Sequence, residues 1–320
     1  MPRPKKVITE YRSYYLPLHF PVLLLSGDHW RISDKPSGRL HFHNCLEIGI
    51  CHSDGGTLEF YGESCSFKEG DVTCIPRNVP HTTYSNPGTK SHWSYLFLDP
   101  ELLFSRFLPA AWRNYDLSTY TFRNYKFILS KEEYPQIHSL VMLAVKELEK
   151  QEAGFELSAQ GLLLSLYIKL YRIQHQEAQN NLNTDAPPMP DHAISITPAL
   201  NYIENNYMQQ LTMEQLADEC HLSPTHFRRT FHEIMGMPPL EYLNITRIMK
   251  SCILLRSTQD TILNIAEQTG FQSISSFNRL FGRIMQMSPR EYRKQMLQAD
   301  AHNSNQSILE YSGWLFPERG

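Results

Sequence analysis

Short apolar runs alternate with turn-forming residues in the first third of the chain. Between residues 40 and 100 the runs LEIGIC, GTLEFYG, DVTCIP and HWSYLFL are separated by Gly, Asn, Asp and Pro. Short strands at regular spacing, with turn signals between them, are typical of an antiparallel sandwich or barrel. We therefore predict a β-barrel domain over residues 1–130.

The hydrophobic period changes after residue 130. KEEYPQIHSLVMLAVKELEK and FELSAQGLLLSLYIKLYRIQ place apolar residues at intervals of three and four, which predicts two helices within residues 131–176. The following stretch lacks a period and collects Gln, Asn and Pro, so we predict a linker over residues 177–194. Residues 195–296 are predicted to be helical throughout, and the tail 297–320 remains unassigned.

The C-terminal helical region contains one pattern twice. SPTHFRRTFHEIMGMPPLEY at 223–242 recurs at an offset of 50 as SISSFNRLFGRIMQMSPREY at 273–292. Each copy has two Phe four residues apart, and Ser223 and Ser273 are suitable N-caps for the helices that carry them. Gly270 is a natural end for the preceding helix. Two short helices in a recurring unit, the second capped and bearing small polar and Arg residues, indicate a helix-turn-helix.

The residues outside the Phe stripes are candidates for contacting DNA bases. They are Thr225, Arg228 and Arg229 in the first copy and Ile274, Ser275, Asn278 and Arg279 in the second. Arg and Asn pair with guanine and adenine edges, and an apolar side chain meets a thymine methyl group. The alternative is a helical module whose Phe stripes only build a core.

One long helix is predicted between the two copies, over LEYLNITRIMKSCILLR. We expect Arg247 and Lys250 on its outer face as DNA-binding residues, where Arg247 would contact phosphate. Such a helix would join the two units rigidly, so that their recognition helices enter successive major grooves roughly 34 Å apart.

Residues 195–296 resemble the DNA-binding domain of the AraC/XylS family of bacterial transcription regulators. The match is carried by IAEQTGFQSISSFNRLFGRIMQMSPREYRK, which is similar to that family's signature. By position, the resemblance implies base contacts from the seven outward residues named above. Gln286 stands where the family usually has Gly, so the geometry of that turn is the point on which the resemblance is weakest.

Histidines cluster near the front of the chain. HFHNCLEI contains His41, His43 and Glu47 in an H-x-H-x3-E array, and residues of this parity share one face of a strand. GDVTCIPRNVPH then leads to His81. The two motifs resemble those of the cupin barrel, with Asn78 in place of the second motif's usual Gly and the Gly before the first motif misplaced.

Three interpretations of this array stay open. Three imidazoles and a carboxylate fit Zn, Fe or Mn, so His41, His43, Glu47 and His81 are candidate metal ligands. The resemblance to AraC-type regulators instead implies an effector pocket without metal, built on a similar string. Hydrogen-bonded structural histidines are the third interpretation. We expect no cofactor, and a divalent metal is the alternative.

The same barrel is expected to hold an effector. Trp93 and Tyr95 share parity in SHWSYLF and could both turn inward, where an indole would stack on the apolar face of a sugar. Carbohydrates are frequent ligands of the resembled family, although such an aromatic pair also suits an ordinary core. Arg39 is a further candidate, as an anchor for a hydroxyl or carboxylate.

A homodimer is expected from the resemblance, because helices after the barrel form a dimer interface in that family. We predict an apolar seam on these helices, with packing against the barrel as the alternative. Its residues are Leu140 and Leu143 on the first helix and Leu163, Leu166 and Leu170 on the second.

Composition limits the classes of function only loosely. The chain is 41% hydrophobic and 20% charged, it lacks a signal-peptide pattern, and its six cysteines form no CxxC pair, so we expect a cytoplasmic protein with reduced thiols. The net charge of −3 alone argues against nucleic-acid binding. Residues 195–296 nevertheless hold 10 Lys+Arg against 9 Asp+Glu, which leaves 20 against 24 elsewhere. Placement of charge therefore matters more than its total.

These observations predict a ligand-responsive transcription regulator and not an enzyme. Its fold would be an antiparallel cupin-like β-barrel with two following helices and an all-α double helix-turn-helix. The expected partners are double-stranded DNA, a small-molecule effector such as a sugar, a second copy of the chain and, for an activator, RNA polymerase; no membrane is expected. The alternatives are a metal-dependent cupin enzyme fused to a DNA-binding module, and a regulator whose barrel only dimerises.

Overall fold

The computed structural model describes residues 8–12, 14, 16–17, 19–60, 63–105, 117, 125–181 and 196–299. The chain divides into two compact units. The first contains ten strands and three helices, and the second contains seven helices among its described residues. The predicted two-part architecture, β followed by all-α, is confirmed.

The first unit is built from two five-stranded sheets. Their strands are β1 (Ile8–Arg12), β2 (Val22–Leu25), β3 (Arg39–His43), β4 (Leu46–Ser53), β5 (Gly55–Phe60), β6 (Glu63–Lys68), β7 (Val72–Ile75), β8 (His81–Ser85), β9 (His92–Leu98) and β10 (Ile128–Leu129). One sheet has the order β1-β3-β8-β5-β6 and the other β10-β7-β4-β9-β2. Neighbouring strands are antiparallel, except that β1 and β3 run parallel.

The second sheet is covered on both faces, which explains why β4 is buried from Leu46 through Cys51. Because successive side chains of a strand point to opposite faces, Leu46, Ile48 and Ile50 join one core and Cys51 joins another. The first core also contains residues of the helices that follow the barrel in the chain. The second lies between the two sheets, where Phe67 of β6 packs edge-on against Trp93 of β9 at 4.8 Å.

Helices α1 (Pro100–Phe104), α2 (Pro135–Lys150) and α3 (Phe155–Asn181) complete the first unit. The two helices predicted after the barrel are observed, and α3 continues past residue 176 into the predicted linker. The rest of that linker, from residue 182 to 194, lies outside the described residues.

The predicted dimer seam is wrong for three of its five leucines. Leu163, Leu166 and Leu170 of α3 are buried in the core between the helices and the sheet. Leu140 of α2 is partly buried against the same core, while Leu143 is 51% exposed. The sequence period correctly gave an apolar face, but that face packs within its own chain, because the outer surface of the sheet also needs to be covered.

The second unit consists of α4 (Thr197–Asn206), α5 (Met213–Glu219), α6 (Pro224–Met235), α7 (Pro239–Ser257), α8 (Ile262–Gln268), α9 (Ile274–Met285) and α10 (Pro289–Ala299). Helices α5 and α6 form the first helix-turn-helix, and α8 and α9 form the second. Helix α7 joins them and is about 28 Å long at 1.5 Å per residue. The predicted tail beyond Ala299 lies outside the described residues.

Both recognition helices begin as the sequence predicts. The Ser223 hydroxyl accepts from the His226 N–H at 3.4 Å, and the Ser273 hydroxyl accepts from the Ser276 N–H at 3.5 Å. Each N-cap satisfies an amide that has no partner inside the helix. Thr212 adds a capping box with its third helical residue at the start of α5.

The turn after α9 keeps its geometry despite the missing glycine. Gln286 has φ +56°, in the same left-handed region as Gly236, its counterpart after α6, at φ +69°. Its side-chain amide donates to the backbone oxygen of Arg283 at 2.7 Å. A non-glycine residue in this conformation costs about 1–2 kcal/mol, so the turn is strained but retained.

No helix among the described residues combines the length and the apolarity that a membrane span requires.

Candidate DNA-reading surface and buried histidine cluster

The two recognition helices present matching surfaces. On α6 the stripe of Phe227 and Phe231 is fully buried, and on α9 the stripe of Phe277 and Phe281 is fully buried. The predicted base-contacting residues lie outside these stripes. Thr225, Arg228, Arg229, Ser275, Asn278 and Arg279 are exposed, and Ile274 is partly exposed. The structure therefore leaves all seven side chains accessible to a partner.

Each stripe is held by a tyrosine from the helix that follows. Tyr242 packs edge-on against Phe231 with ring centroids 5.9 Å apart, and Tyr292 packs in the same way against Phe281 at 5.7 Å. Edge-to-face pairs at such separations add to burial energy and fix orientation. The two helix-turn-helix units thus repeat in their packing as well as in their sequence.

Charged contacts restrain the exposed arginines only weakly. Arg229 Nε lies 3.8 Å from Glu233 Oε1 one turn along α6, and both side chains are more than half exposed. Such a pair contributes about 0.3–0.5 kcal/mol and is screened by salt. Arg229 can therefore exchange this partner for a DNA base at little cost.

The outer-face position predicted for Arg247 and Lys250 is wrong. Arg247 is buried, and its guanidinium donates to the backbone oxygens of Tyr207 and Gln209 at 2.8 Å each. Lys250 is mostly buried, with Nζ 3.5 Å from Glu204 Oε2. Helix α7 is covered on several sides, so an amphipathic pattern could not locate its exposed face.

In the first unit, the predicted histidines and Glu47 converge between the two sheets. His41 and His43 lie on β3, and His81 on β8 is paired with His41 across the ladder. Glu47 is not on the same strand, because the chain turns at residues 44–45. It projects from β4 in the opposite sheet. The ring centroids of His41 and His81 are 4.3 Å apart, and those of His43 and His81 are 5.2 Å apart.

Two of these imidazoles share one hydrogen-bonding pattern. Nδ1 of His43 lies 2.9 Å from the backbone oxygen of Cys45, and Nδ1 of His81 lies 2.8 Å from that of Val79. A carbonyl only accepts, so both rings carry a proton on Nδ1. Their Nε2 atoms then face Glu47, at 3.1 Å from His43 and 3.7 Å from His81, and neither makes a hydrogen bond among the described residues.

The donor set of this cluster fits a divalent cation. His41, Glu47 and His81 each offer a ligand atom within 4.8 Å of the others. Metal-binding histidines typically donate their second ring N–H to a backbone carbonyl, as His43 and His81 do here. A lone pair on Nε2 close to a carboxylate oxygen requires a proton or a cation between them. The residues could equally hydrogen-bond the hydroxyl groups of a ligand.

Electrostatics in the cluster favour a charged Glu47 beside neutral His41 and His43. Burial raises the pKa of Glu47, but the neighbouring imidazoles of His81 and His43 hold that pKa well below its usual value. Burial, together with the charges of His81 and Arg12, moves the pKa of His41 well below 6.5. Burial also lowers the pKa of His43, against the opposing effect of Glu47.

No sequence pattern pointed to two further residues that lie near the cluster. Tyr14 stacks on Phe97 with centroids 4.0 Å apart and meets His43 edge-on at 6.0 Å. Arg12, aligned with His43 in the β1–β3 ladder, is close enough for its charge to lower the pKa of His41 and for the Glu47 charge to act on Arg12. Their placement depends on the long-range pairing of β1 with β3, which no local pattern predicts.

The predicted aromatic pair turns inward, but the indole face is covered. Trp93 is fully buried and stacks on Tyr95 with centroids 5.4 Å apart and an interplanar angle of 9°. Its Nε1 donates to Ser91 Oγ at 2.8 Å. A sugar could stack on Trp93 only after Tyr95 moved. Arg39 lies at the exposed start of β3, two residues before His41.

Fold and site together define a protein with a ligand-binding β-barrel and a DNA-binding double helix-turn-helix. Two family models match the chain: an AraC-like ligand binding domain over residues 29–167 and a helix-turn-helix domain over residues 216–295. The chain belongs to the AraC/XylS family of transcription regulators.

Curated relatives match either most of the chain or less than half of it. An uncharacterised HTH-type transcriptional regulator of Haemophilus influenzae is 29% identical over 282 residues, which cover 83% of this chain and 90% of that protein. The transposon Tn10 TetD protein of Escherichia coli is 30% identical over 132 residues, 41% of this chain and 95% of that protein. The HTH-type transcriptional activator RhaS of Escherichia coli is 25% identical over 256 residues, with 79% and 87% covered.

Proposed function

We propose that this regulator senses a small molecule inside the first-unit barrel, beside Glu47, and reads two adjacent major-groove segments with α6 and α9. The observation that carries the effector site is the cluster of buried His43, His81 and Glu47 with the half-buried His41. Buried polar groups normally have hydrogen-bond partners, and the Nε2 atoms of His43 and His81 have none among the described residues. A ligand's polar groups would satisfy them.

The effector proposed is a hydroxyl-rich molecule such as a carbohydrate. The Nε2 atoms of His43 and His81 and the Glu47 carboxylate all accept hydrogen bonds, which suits the O–H donors of a hydroxyl-rich ligand. Because Tyr95 covers Trp93, recognition would begin with hydrogen bonds to the histidine cluster, and aromatic stacking would be secondary. Arg39, being exposed, would contact only a ligand that extends to the end of β3.

A second candidate is a divalent cation held by His41, His43, His81 and Glu47. The two Nε2 atoms directed at a carboxylate support it as well as they support an organic ligand. When bound, the cation would supply charge that neutralises Glu47 and offers a coordination position to a ligand. The backbone carbonyls of Cys45 and Val79 would hold the His43 and His81 rings in the orientation needed to bind the cation.

One experiment separates these two candidates. The metal content of the purified, untagged chain is measured, and its melting temperature is screened against sugars and small acids. A sugar that raises the melting temperature, with loss of the effect in His81→Ala, supports the organic effector. Stoichiometric metal that disappears in His41→Ala and His81→Ala supports the cation. His52→Ala is the matched control, since His52 lies elsewhere in the unit, in ring contact with His92 at 5.0 Å.

Regulation is proposed to act through a coupling free energy between effector and DNA. An effector shifts a conformational equilibrium only by its differential affinity for the two states, and the same factor must appear in DNA binding. The partners are double-stranded DNA and, if the output is activation, RNA polymerase. The cytoplasmic location expected from the sequence stays a prediction.

A homodimer is part of the proposal, through a surface other than the predicted seam. With Leu163, Leu166 and Leu170 buried, the large exposed apolar side chains among the described residues of these helices are Leu143 of α2 and Leu157 of α3, which is 73% exposed. Sedimentation analysis of Leu157→Lys tests this surface: a shift to monomer supports it, and an unchanged mass excludes it.

The competing function is a metal-dependent enzyme fused to a DNA-binding module. The curated relatives described above are transcription regulators or DNA-element proteins by name, which supports a non-enzymatic barrel. Turnover of a small molecule by the metal-loaded chain, lost in Glu47→Gln, would establish the enzyme instead.

A further inference from the structure

Arg247 is a buried charge in the middle of α7, with only 6% of its surface exposed. Its Nε donates to the Tyr207 backbone oxygen at 2.8 Å, and its Nη2 donates to the Gln209 backbone oxygen at 2.8 Å. Both oxygens belong to residues 207–210, hereafter the pre-α5 turn, which leads from α4 into the first helix-turn-helix. A buried guanidinium is costly unless it is hydrogen-bonded, so these charge-assisted bonds hold the turn against α7.

The pre-α5 turn also touches the second helix-turn-helix, at Gly270. Gln210 Nε2 donates to the Gly270 backbone oxygen at 3.3 Å. Gly270 has φ +86°, and a Cβ there would lie 2.7 Å from the Tyr207 oxygen and 2.8 Å from the Met208 oxygen. Glycine adopts this conformation without strain, and the close approach of the two backbone oxygens leaves no room for a Cβ. The turn before α5 and the turn between α8 and α9 are therefore packed backbone against backbone.

A third contact continues from Arg247 to the second recognition helix. The guanidinium carbon lies 5.9 Å from the ring centroid of Phe271, a cation–π distance. Phe271 packs edge-on against Phe277 with centroids 5.2 Å apart. Phe277 belongs to the buried stripe of α9. The Arg247 side chain thus contacts both the turn that leads into the first helix-turn-helix and an aromatic residue packed in the second.

We propose that Arg247 is a positioning residue that fixes the separation of α6 and α9 and thereby selects the spacing of the two DNA segments. This inference rests on the proposed function, in which both helices read DNA. Helix α7 connects the two helix-turn-helix motifs along the chain. The contacts of Arg247 and Gly270 add a connection between the pre-α5 turn and the turn between α8 and α9, and this added connection restricts rotation of one motif against the other.

The test measures DNA affinity as a function of spacing, with the full chain. Duplexes selected by the wild type from a random library are lengthened or shortened by roughly 1–2 bp between the two contacted segments. Wild type is compared with Arg247→Met, which keeps the length of the side chain without its donors, and with Arg247→Lys, which keeps the charge. Gly270→Ala is a second variant that disturbs the same contact. Its matched control is Gly236→Ala, with similar backbone strain but open space around the new Cβ.

We expect wild type to lose affinity sharply when the spacing changes. In Arg247→Met and Gly270→Ala this penalty should shrink roughly tenfold, the scale of coupling between contacting residues, while Arg247→Lys falls between and Gly236→Ala keeps the wild-type profile. Equal weakening at every spacing would show that Arg247 contributes stability alone and would overturn the proposal. A wild-type affinity that ignores spacing would instead overturn the two-segment function itself.

Discussion

Arg279→Ala provides the most direct test of the DNA-reading surface. Arg279 lies in the first half of α9, whose N-terminal residues are the ones that reach base edges in a helix-turn-helix. Its side chain is exposed, and no ion pair holds it among the described residues. A base contact would therefore form without breaking an internal one. Arg229, in contrast, would first give up Glu233.

The expected loss follows from that difference. A bidentate contact between Arg and guanine is worth about 1–3 kcal/mol, so Arg279→Ala should weaken binding about 5- to 150-fold. Arg229→Ala should weaken DNA binding less, by about 0.3–0.5 kcal/mol, because wild-type Arg229 must first break its ion pair with Glu233. The loss should be confined to duplexes that carry the cognate base pair, because a truncated side chain no longer distinguishes that position.

The assay is fluorescence anisotropy with selected duplexes and with each contacted base pair substituted in turn. Arg283→Ala is the matched control: it removes the same charge from the last turn of the same helix, where Arg283 lies 3.9 Å from Glu241. That control should leave base preference unchanged and alter only the dependence on salt. If Arg279→Ala kept the wild-type affinity and base preference, Arg279 would not belong to the reading surface.

Three further predictions concern the stability of the second unit. Phe281→Ala should cost about 3–5 kcal/mol by leaving a cavity under α9, seen as a lower midpoint in urea, whereas the half-exposed Leu263→Ala should change little. Ser273→Ala removes the N-cap of α9 and should cost about 1 kcal/mol in the same measurement; no change would exclude the cap. Hydrogen bonds from the backbone and side chain of Ser288 lower the pKa of Glu291 in the folded protein. The ionised Glu291 therefore stabilises the fold at pH values above the pKa that it has in the unfolded chain, and this stabilisation is lost as the pH falls through the pKa that it has in the folded protein. Melting temperatures from pH 7 down to pH 3 should therefore converge for wild type and Glu291→Gln, and a constant difference would contradict this.

Local signals in the sequence were sufficient for the helix-turn-helix units. Caps, turns and a helical period act over a few residues, so Ser223, Ser273 and the two Phe stripes located α6 and α9 and their exposed faces correctly. Gln286 keeps the geometry of the turn, although the resembled family usually has Gly there. A left-handed conformation costs a non-glycine residue only about 1–2 kcal/mol, and the stabilisation from packing around the turn exceeds that cost.

Contacts between distant segments decided the rest. Sequence parity could bring His41 and His43 to one face. Only the β3–β8 ladder brings His81 to them, only the packing of the second sheet brings Glu47, and only the parallel β1–β3 ladder adds Arg12 and Tyr14. The buried state of Arg247 was likewise invisible, because an Arg on a helix is ordinarily solvated and nothing local announces two carbonyls forty residues earlier in the chain. Periodicity reports which face of an element is apolar. What covers that face depends on long-range packing, which the tertiary structure alone determines.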